Sequence, residues 1–290
     1  MRKKLYDTRE FTVRYRLLAL DLDGTIVNHD LGIDQRVRTA IANAQAAGVI
    51  VTLATGRMFG AAMPFATTLN IHQPLICYQG AVIRDAPHGH IRYAATMPGA
   101  STAHAVQLIL ERDIFVVAYI DEVLHIAERR PELDLYLSYH PEGAEVRLCD
   151  DLAAVVATHP ATKLLFVAQP DIVGPTLDFL KTQVGDQLVT TRSHQLFGEL
   201  TAMGVSKGHA LAELAQQLGI AQHEVVAIGD QENDIEMVRW AGLGLAMGNA
   251  IAPLKAVAKQ VIPSIDDAGV AWAIEHLILT QTTTPPRKDP

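Results

Sequence analysis

The sequence predicts an α/β fold: a Rossmann-like doubly wound parallel sheet interrupted by an inserted α+β domain. Short, wholly apolar runs alternate with amphipathic stretches in the outer parts of the 290-residue chain. That alternation breaks down in the middle third, where histidine and proline become frequent between Pro87 and Pro141. Four polar segments of the outer parts each follow an apolar run or open a helix, as ligand loops do at the carboxyl edge of such sheets.

The elements follow in order. Leu17-Leu18-Ala19-Leu20 is short, apolar and ends at a turn signal, so it reads as a buried strand. Residues 34–47 read as a helix, with Asp34 as N-cap and Gly48 as its stop. Residues 49–53 form a second buried strand, 59–69 a helix whose start Pro64 can shift, and 75–78 a third strand. This β-α-β-α-β order implies parallel strands with helices on both faces. In the middle, strands are expected at 115–120, 164–167 and 187–191, and helices at 100–111, 131–139 and 171–184. Alternation resumes after Met203-Gly204. Ser206 can cap a helix to Leu218, stopped by Gly219. Residues 225–228 form a fourth buried strand, followed by a helix from about Asn233 to Trp240 and strands at 243–247 and 260–262. The expected division is a core of residues 1–84 and 202–290 around an inserted α+β domain of 85–201. Residues 1–15 read as an extension. The tail 281–290, with Pro285-Pro286, reads as unstructured.

Composition bounds the function. A hydrophobic share of 49% and a mean hydropathy of +0.15 supply a sizeable core and argue against disorder. Net charge is −8, with 32 acidic and 24 basic residues, which argues against nucleic acid as a partner. No apolar run approaches the roughly 20 residues of a membrane helix. Cys77 and Cys149 show no paired spacing, so free thiols in a reducing cytoplasm are expected. His88 and His90 flank Gly89 and read, with Pro87, as a turn, not as metal ligands.

The polar segments carry the chemistry. In Asp21-Leu22-Asp23-Gly24-Thr25, two carboxylates follow a strand and can face one crevice once the chain turns at Gly24. Asp21 can attack a phosphoryl group, and Asp23 can protonate the leaving alcohol and then deprotonate water. Taken alone, the segment is equally well an Asx-type turn. In Thr55-Gly56-Arg57, a hydroxyl and backbone N–H groups can hold a phosphate oxygen, and Arg57 can add a charged fork. A plain N-cap with a solvated arginine is the bland alternative. Lys207 can neutralise phosphoryl oxygen and carboxylate, although a lone lysine is usually solvated. In Gly229-Asp230-Gln231-Glu232-Asn233-Asp234, Asp230 suits magnesium, Asn233 can donate to phosphate, and Asp234 can support them. Its bland reading is a turn and N-cap. The four together make the set that phosphoryl transfer requires.

The order DxDGT, TGR, VSKG and GDxxND resembles the haloacid dehalogenase-like hydrolase superfamily, and the last two segments resemble its Cof-type phosphatases. The resemblance covers the core motif by motif and the insert by position and length only. It implies a phosphoric monoester hydrolase using Mg²⁺ on a small phosphorylated metabolite, a sugar phosphate or cofactor phosphate, through an aspartyl-phosphate. Asp21 would be nucleophile and metal ligand, Asp23 acid/base and a ligand through its carbonyl, and Asp230 the third protein ligand. Leu22 through its N–H, with Thr55, Gly56, Lys207 and Asn233, would hold the phosphoryl group, supported by Arg57 and Asp234. The insert would be a cap. A phosphomutase on a hexose phosphate and a non-catalytic phosphate sensor are the rival readings. Where the family commonly reads Asn-Gly-Ala, this chain has Gln79-Gly80-Ala81.

Overall fold

The chain's computed structural model describes residues 14–138 and 143–279. Apart from Arg14 and Tyr15, the expected extension lies outside the described residues, as do the tail and Tyr139 at the end of one expected helix. Tyr15 is buried in the core, so the fold begins before residue 16.

The first stretch runs β1 (Leu17–Leu20), α1 (Gln35–Ala46), β2 (Ile50–Leu53), α2 (Phe59–Thr68), β3 (Leu75–Cys77), β4 (Val82–Arg84) and β5 (Ile91–Ala94). The middle runs α3 (Gly99–Leu110), β6 (Phe115–Ile120), β7 (Val123–Ile126), α4 (Pro131–Ser138), β8 (Val146–Leu148), α5 (Leu152–Thr158), β9 (Lys163–Val167), α6 (Pro170–Val184), β10 (Leu188–His194) and β11 (Phe197–Ala202). The last stretch runs α7 (Lys207–Gln217), β12 (Val225–Gly229), α8 (Ile235–Trp240), β13 (Leu243–Ala246), α9 (Ala252–Val257), β14 (Gln260–Val261) and α10 (Gly269–Ala273).

The first and last stretches share one sheet in the order β14-β13-β12-β1-β2, parallel throughout. Its central strands are buried on both faces, which is why they read as unbroken apolar runs. The parallel bridge Ala54–Ile76 extends it toward β3. The chain leaves β1 for β2 on one side and returns to β12 on the other. Their adjacent carboxyl ends form the switch point where such sheets bind ligands. The middle stretch builds a second, six-stranded sheet in the order β10-β11-β9-β6-β7-β8, antiparallel except for β7 beside β8. Helix α3 packs against α5 and α6 in this part.

Several expectations need correction. Pro64 does not delay α2, which starts at Phe59 and keeps the proline inside. The third strand stops at Cys77 because Tyr78 and Gln79 take positive φ, 53° and 59°. A 3₁₀ turn, Glu232–Asp234, occupies the expected start of α8. Residues 75–94, where one strand is expected, form a three-stranded antiparallel sheet, β3-β4-β5, with its second turn between Arg84 and Ile91. That turn holds the His88-Gly89-His90 segment, with Gly89 at φ 71°. Strands β7, β8 and β11 and helices α5, α9 and α10 are further elements without a counterpart among the expectations.

Candidate active site

The Asp21 segment leaves β1 in register with the sheet, its N–H donating to the Ile228 carbonyl of β12 at 3.0 Å. The chain then turns at Gly24, whose φ is 84°. A Cβ on Gly24 would lie 2.4 Å from Asp230 Oδ2, so close approach as well as φ demands glycine. Asn249 supports the turn, donating through Nδ2 to the Gly24 carbonyl at 2.8 Å.

Asp230 directly follows the neighbouring strand β12, and Lys207 arrives from the first position of α7. Ser206 caps that helix, accepting from His209 N–H at 3.0 Å. The buried Lys207 Nζ donates to Asp21 Oδ1 at 2.5 Å and Asp234 Oδ1 at 2.7 Å. The other Asp234 oxygen accepts the N–H groups of Asp230 and Gln231, at 2.9 and 3.0 Å. Thr25 Oγ1 donates to Asp230 Oδ1 at 3.2 Å, and Gln231 Nε2 donates to its Oδ2 at 3.1 Å.

Carboxylate oxygens of Asp21, Asp230 and Asp234 lie within 4.8 Å of one another. Burial above all, then the charge of Asp234, holds Asp21 well above the usual carboxylate range, against the pull of Lys207. The same two causes push Asp230 up to about 7. Burial pulls Lys207 down, but Asp21 and Asp234 outweigh it and keep the ammonium charged. Three buried carboxylates therefore face one ammonium. These are hard oxygen donors with surplus negative charge, which fits a divalent cation of the magnesium type.

Asp23 stands apart from that cluster. Its carboxylate is 54% exposed and takes both prongs of the buried Arg57 guanidinium, Nε to Oδ2 at 2.9 Å and Nη2 to Oδ1 at 2.8 Å. The expected metal set took Asp23 through its carbonyl, beside Asp21 and Asp230; the side-chain cluster adds Asp234 to those two. Thr55 is buried and accepts the Arg57 N–H at 3.1 Å. The Gly56 carbonyl accepts from Lys163 Nζ at 2.8 Å, and Asn233 Nδ2 donates to Gln79 Oε1 at 2.8 Å. The Leu22 carbonyl closes the turn, accepting from Thr25, Ile26 and Val27.

Sequence reasoning passed over Thr25, Gln231, Lys163 and Glu199. Lys163 opens an apolar strand and Glu199 lies inside another, and only the paired strands show that both are buried together.

Residues 18–274 match the family model described as haloacid dehalogenase-like hydrolase. The chain belongs to the haloacid dehalogenase-like hydrolase family. It is 30% identical to the putative phosphatase YxeH of Bacillus subtilis, over 92% of this chain and all of that one. It is 28% identical to 5-amino-6-(5-phospho-D-ribitylamino)uracil phosphatase YcsE of the same organism, over 92% and 97%. A crystal structure of a haloacid dehalogenase-like hydrolase from Bacteroides thetaiotaomicron superposes with a TM-score of 0.78 at 27% identity, covering 90% of this chain and 98% of that one. These matches bear out the expected enzyme class, a phosphoric monoester hydrolase of the Cof type, and the α/β core fold. Among the described residues no helix is long and apolar enough to cross a membrane.

Proposed function

We propose that the chain is a magnesium-dependent phosphatase of a small phosphorylated metabolite, a sugar phosphate or cofactor phosphate, with Asp21 as nucleophile. The observation that carries this reading is the contact of one buried ammonium, Lys207, with Asp21 and Asp234 beside Asp230. Magnesium, when bound, would neutralise phosphoryl oxygens and the Asp21 carboxylate; Asp21, Asp230 and the Asp23 carbonyl would hold it.

Asp21 attacks phosphorus in line, forming an aspartyl-phosphate as the ester bond to the alcohol oxygen breaks. Asp23 gives that oxygen a proton and then takes one from the water that cleaves the acyl phosphate. Arg57 aims the Asp23 carboxyl through its two-pronged contact. Lys207, Thr55, Asn233 and the N–H groups of Leu22 and Gly56 hold the phosphoryl oxygens, and Asp234 holds Lys207. The six-stranded insert acts as a cap that keeps water out and reads the organic part of the substrate. The substrate named for YcsE, a phosphorylated ribityl compound, belongs to the range proposed. The two buried free thiols suit a reducing cytoplasm, and the net charge of −8 suits a small-molecule partner, not nucleic acid.

Asp21→Asn tests the reading. Hydrolysis of p-nitrophenyl phosphate with Mg²⁺ should fall to background while circular dichroism stays native. Activity at the wild-type level in a folded variant would sink the proposal.

A further inference from the structure

Between the two sheets lies a buried polar cluster that the steps above do not use. Lys163 opens β9 opposite Tyr119, and Glu199 in β11 pairs with Leu165, two residues beyond Lys163. Both charges therefore stand on one face of the six-stranded sheet. They are 2% and 3% exposed. Lys163 Nζ lies 3.2 Å from Glu199 Oε1, to which Ser193 Oγ also donates at 2.7 Å. Glu199 Oε2 accepts from Gln79 Nε2 at 2.8 Å, and Gln79 Oε1 accepts from Asn233 Nδ2 at 2.8 Å.

We infer that Gln79, polarised by Glu199 and Lys163, is a positioning residue that sets which way the Asn233 amide faces and thereby the site's affinity for phosphate. This rests on the proposed role of Asn233 as a phosphate donor. A carboxylate only accepts hydrogen bonds, so Glu199 compels Gln79 to turn its NH₂ toward the insert. The Gln79 carbonyl is then left facing Asn233, which must answer with N–H. One hydrogen of the Asn233 NH₂ is used and the second remains a donor. Asn233 Oδ1 is buried without a partner among the described residues. The reversed amide would set two carbonyls against each other, so the relay discriminates between the two orientations.

Two further observations show how tightly this position is held. Gln79 holds φ 59° and ψ 21°, left-handed for a residue with a Cβ, between Tyr78 and a Gly80 at φ 100°. Such strain persists where surroundings over-determine it. Gly56 lies beneath the Gln79 amide, and a Cβ there would come within 2.3 Å of Nε2. Asparagine at 79 would be one methylene short of spanning both partners. Because Glu199 and Lys163 come from the insert, the relay also makes phosphate affinity depend on the insert's seating. Glu122 provides a control. It joins insert to core by accepting from Tyr78 Oη at 2.9 Å and Gly60 N–H at 3.3 Å, without touching Asn233.

The test is calorimetric titration of inorganic phosphate into the Mg²⁺-loaded full chain, with melting curves alongside. Gln79→Asn and Glu199→Gln should each weaken phosphate about tenfold, the scale of one lost hydrogen bond to a charged group. Glu122→Gln should stay near wild type. Wild-type affinity in both relay variants, or an equal loss in Glu122→Gln, overturns the inference, as does a wild-type chain that binds no phosphate. A wild-type chain that binds phosphate but hydrolyses neither p-nitrophenyl phosphate nor a panel of phosphorylated metabolites overturns only the phosphatase reading. The variant titrations then still decide the role of Gln79.

Discussion

At the residue scale the site leaves little room. Gly24 combines φ 84° with a would-be Cβ contact of 2.4 Å to Asp230. Gly24→Ala should cost about 1–2 kcal/mol in backbone strain alone. It should also raise the Mg²⁺ concentration for half-maximal activity, read from a metal titration of turnover. Asp34, the α1 cap, makes a pH-dependent prediction. The Arg36 side chain first, and then its backbone N–H, hold the Asp34 carboxyl below its ordinary value. A depressed carboxyl contributes stability above its unfolded pKa of about 3.9 and loses it as pH falls through the lower folded value. Asp34→Ala should therefore cost about 1 kcal/mol at neutral pH, and the gap should close below about pH 3.9 in acid melts. Asp21, Lys207 and Asp230 were legible because each follows an apolar strand or opens a capped helix. Gln79 and Glu199 were not, since their meaning depends on a register between chain segments 120 residues apart.

At the element scale, α7 links stability to chemistry. Ser206 caps it and Lys207 is its first residue. Ser206→Ala should cost about 1 kcal/mol in chemical unfolding. Turnover should fall further than the small unfolded fraction explains, because Lys207 loses its fixed origin; an unchanged kcat would contradict this. The strands of the outer sheet were readable since burial on both faces makes them continuous apolar runs. Strands β4, β5 and β8 are three or four residues long, with β5 and β8 largely exposed, so they carried no period to count. Strand β11 was hidden by Gly198 and Glu199, although all six of its residues are buried. Gly198 is bare because the Phe166 ring would meet its Cβ at 2.1 Å, a constraint that appears only once β9 and β11 are paired.

At the scale of the whole molecule, carboxylates and ammonium from both ends of the chain meet at one edge of the sheet. Their surplus negative charge destabilises the metal-free fold, so Mg²⁺ should raise the melting temperature. The gain should follow mass action, about 2.7 kcal/mol at a hundredfold excess over Kd. Asp230→Asn should remove most of that dependence, checked by melts across a Mg²⁺ series; an undiminished shift would place the cation elsewhere.

The placement of β1 between β2 and β12 has a consequence for biosynthesis. Leu17 finds Ile50 soon after translation, but its other neighbour is Val225. At roughly 5–20 residues per second, the ribosome needs tens of seconds to deliver that partner. The intervening residues can close their own six-stranded sheet meanwhile, since all its strands lie between Phe115 and Ala202. The nascent chain therefore carries an apolar strand with one unsatisfied edge beside a finished neighbour. That edge is where a chaperone would be most useful and where misassembly between growing chains would begin.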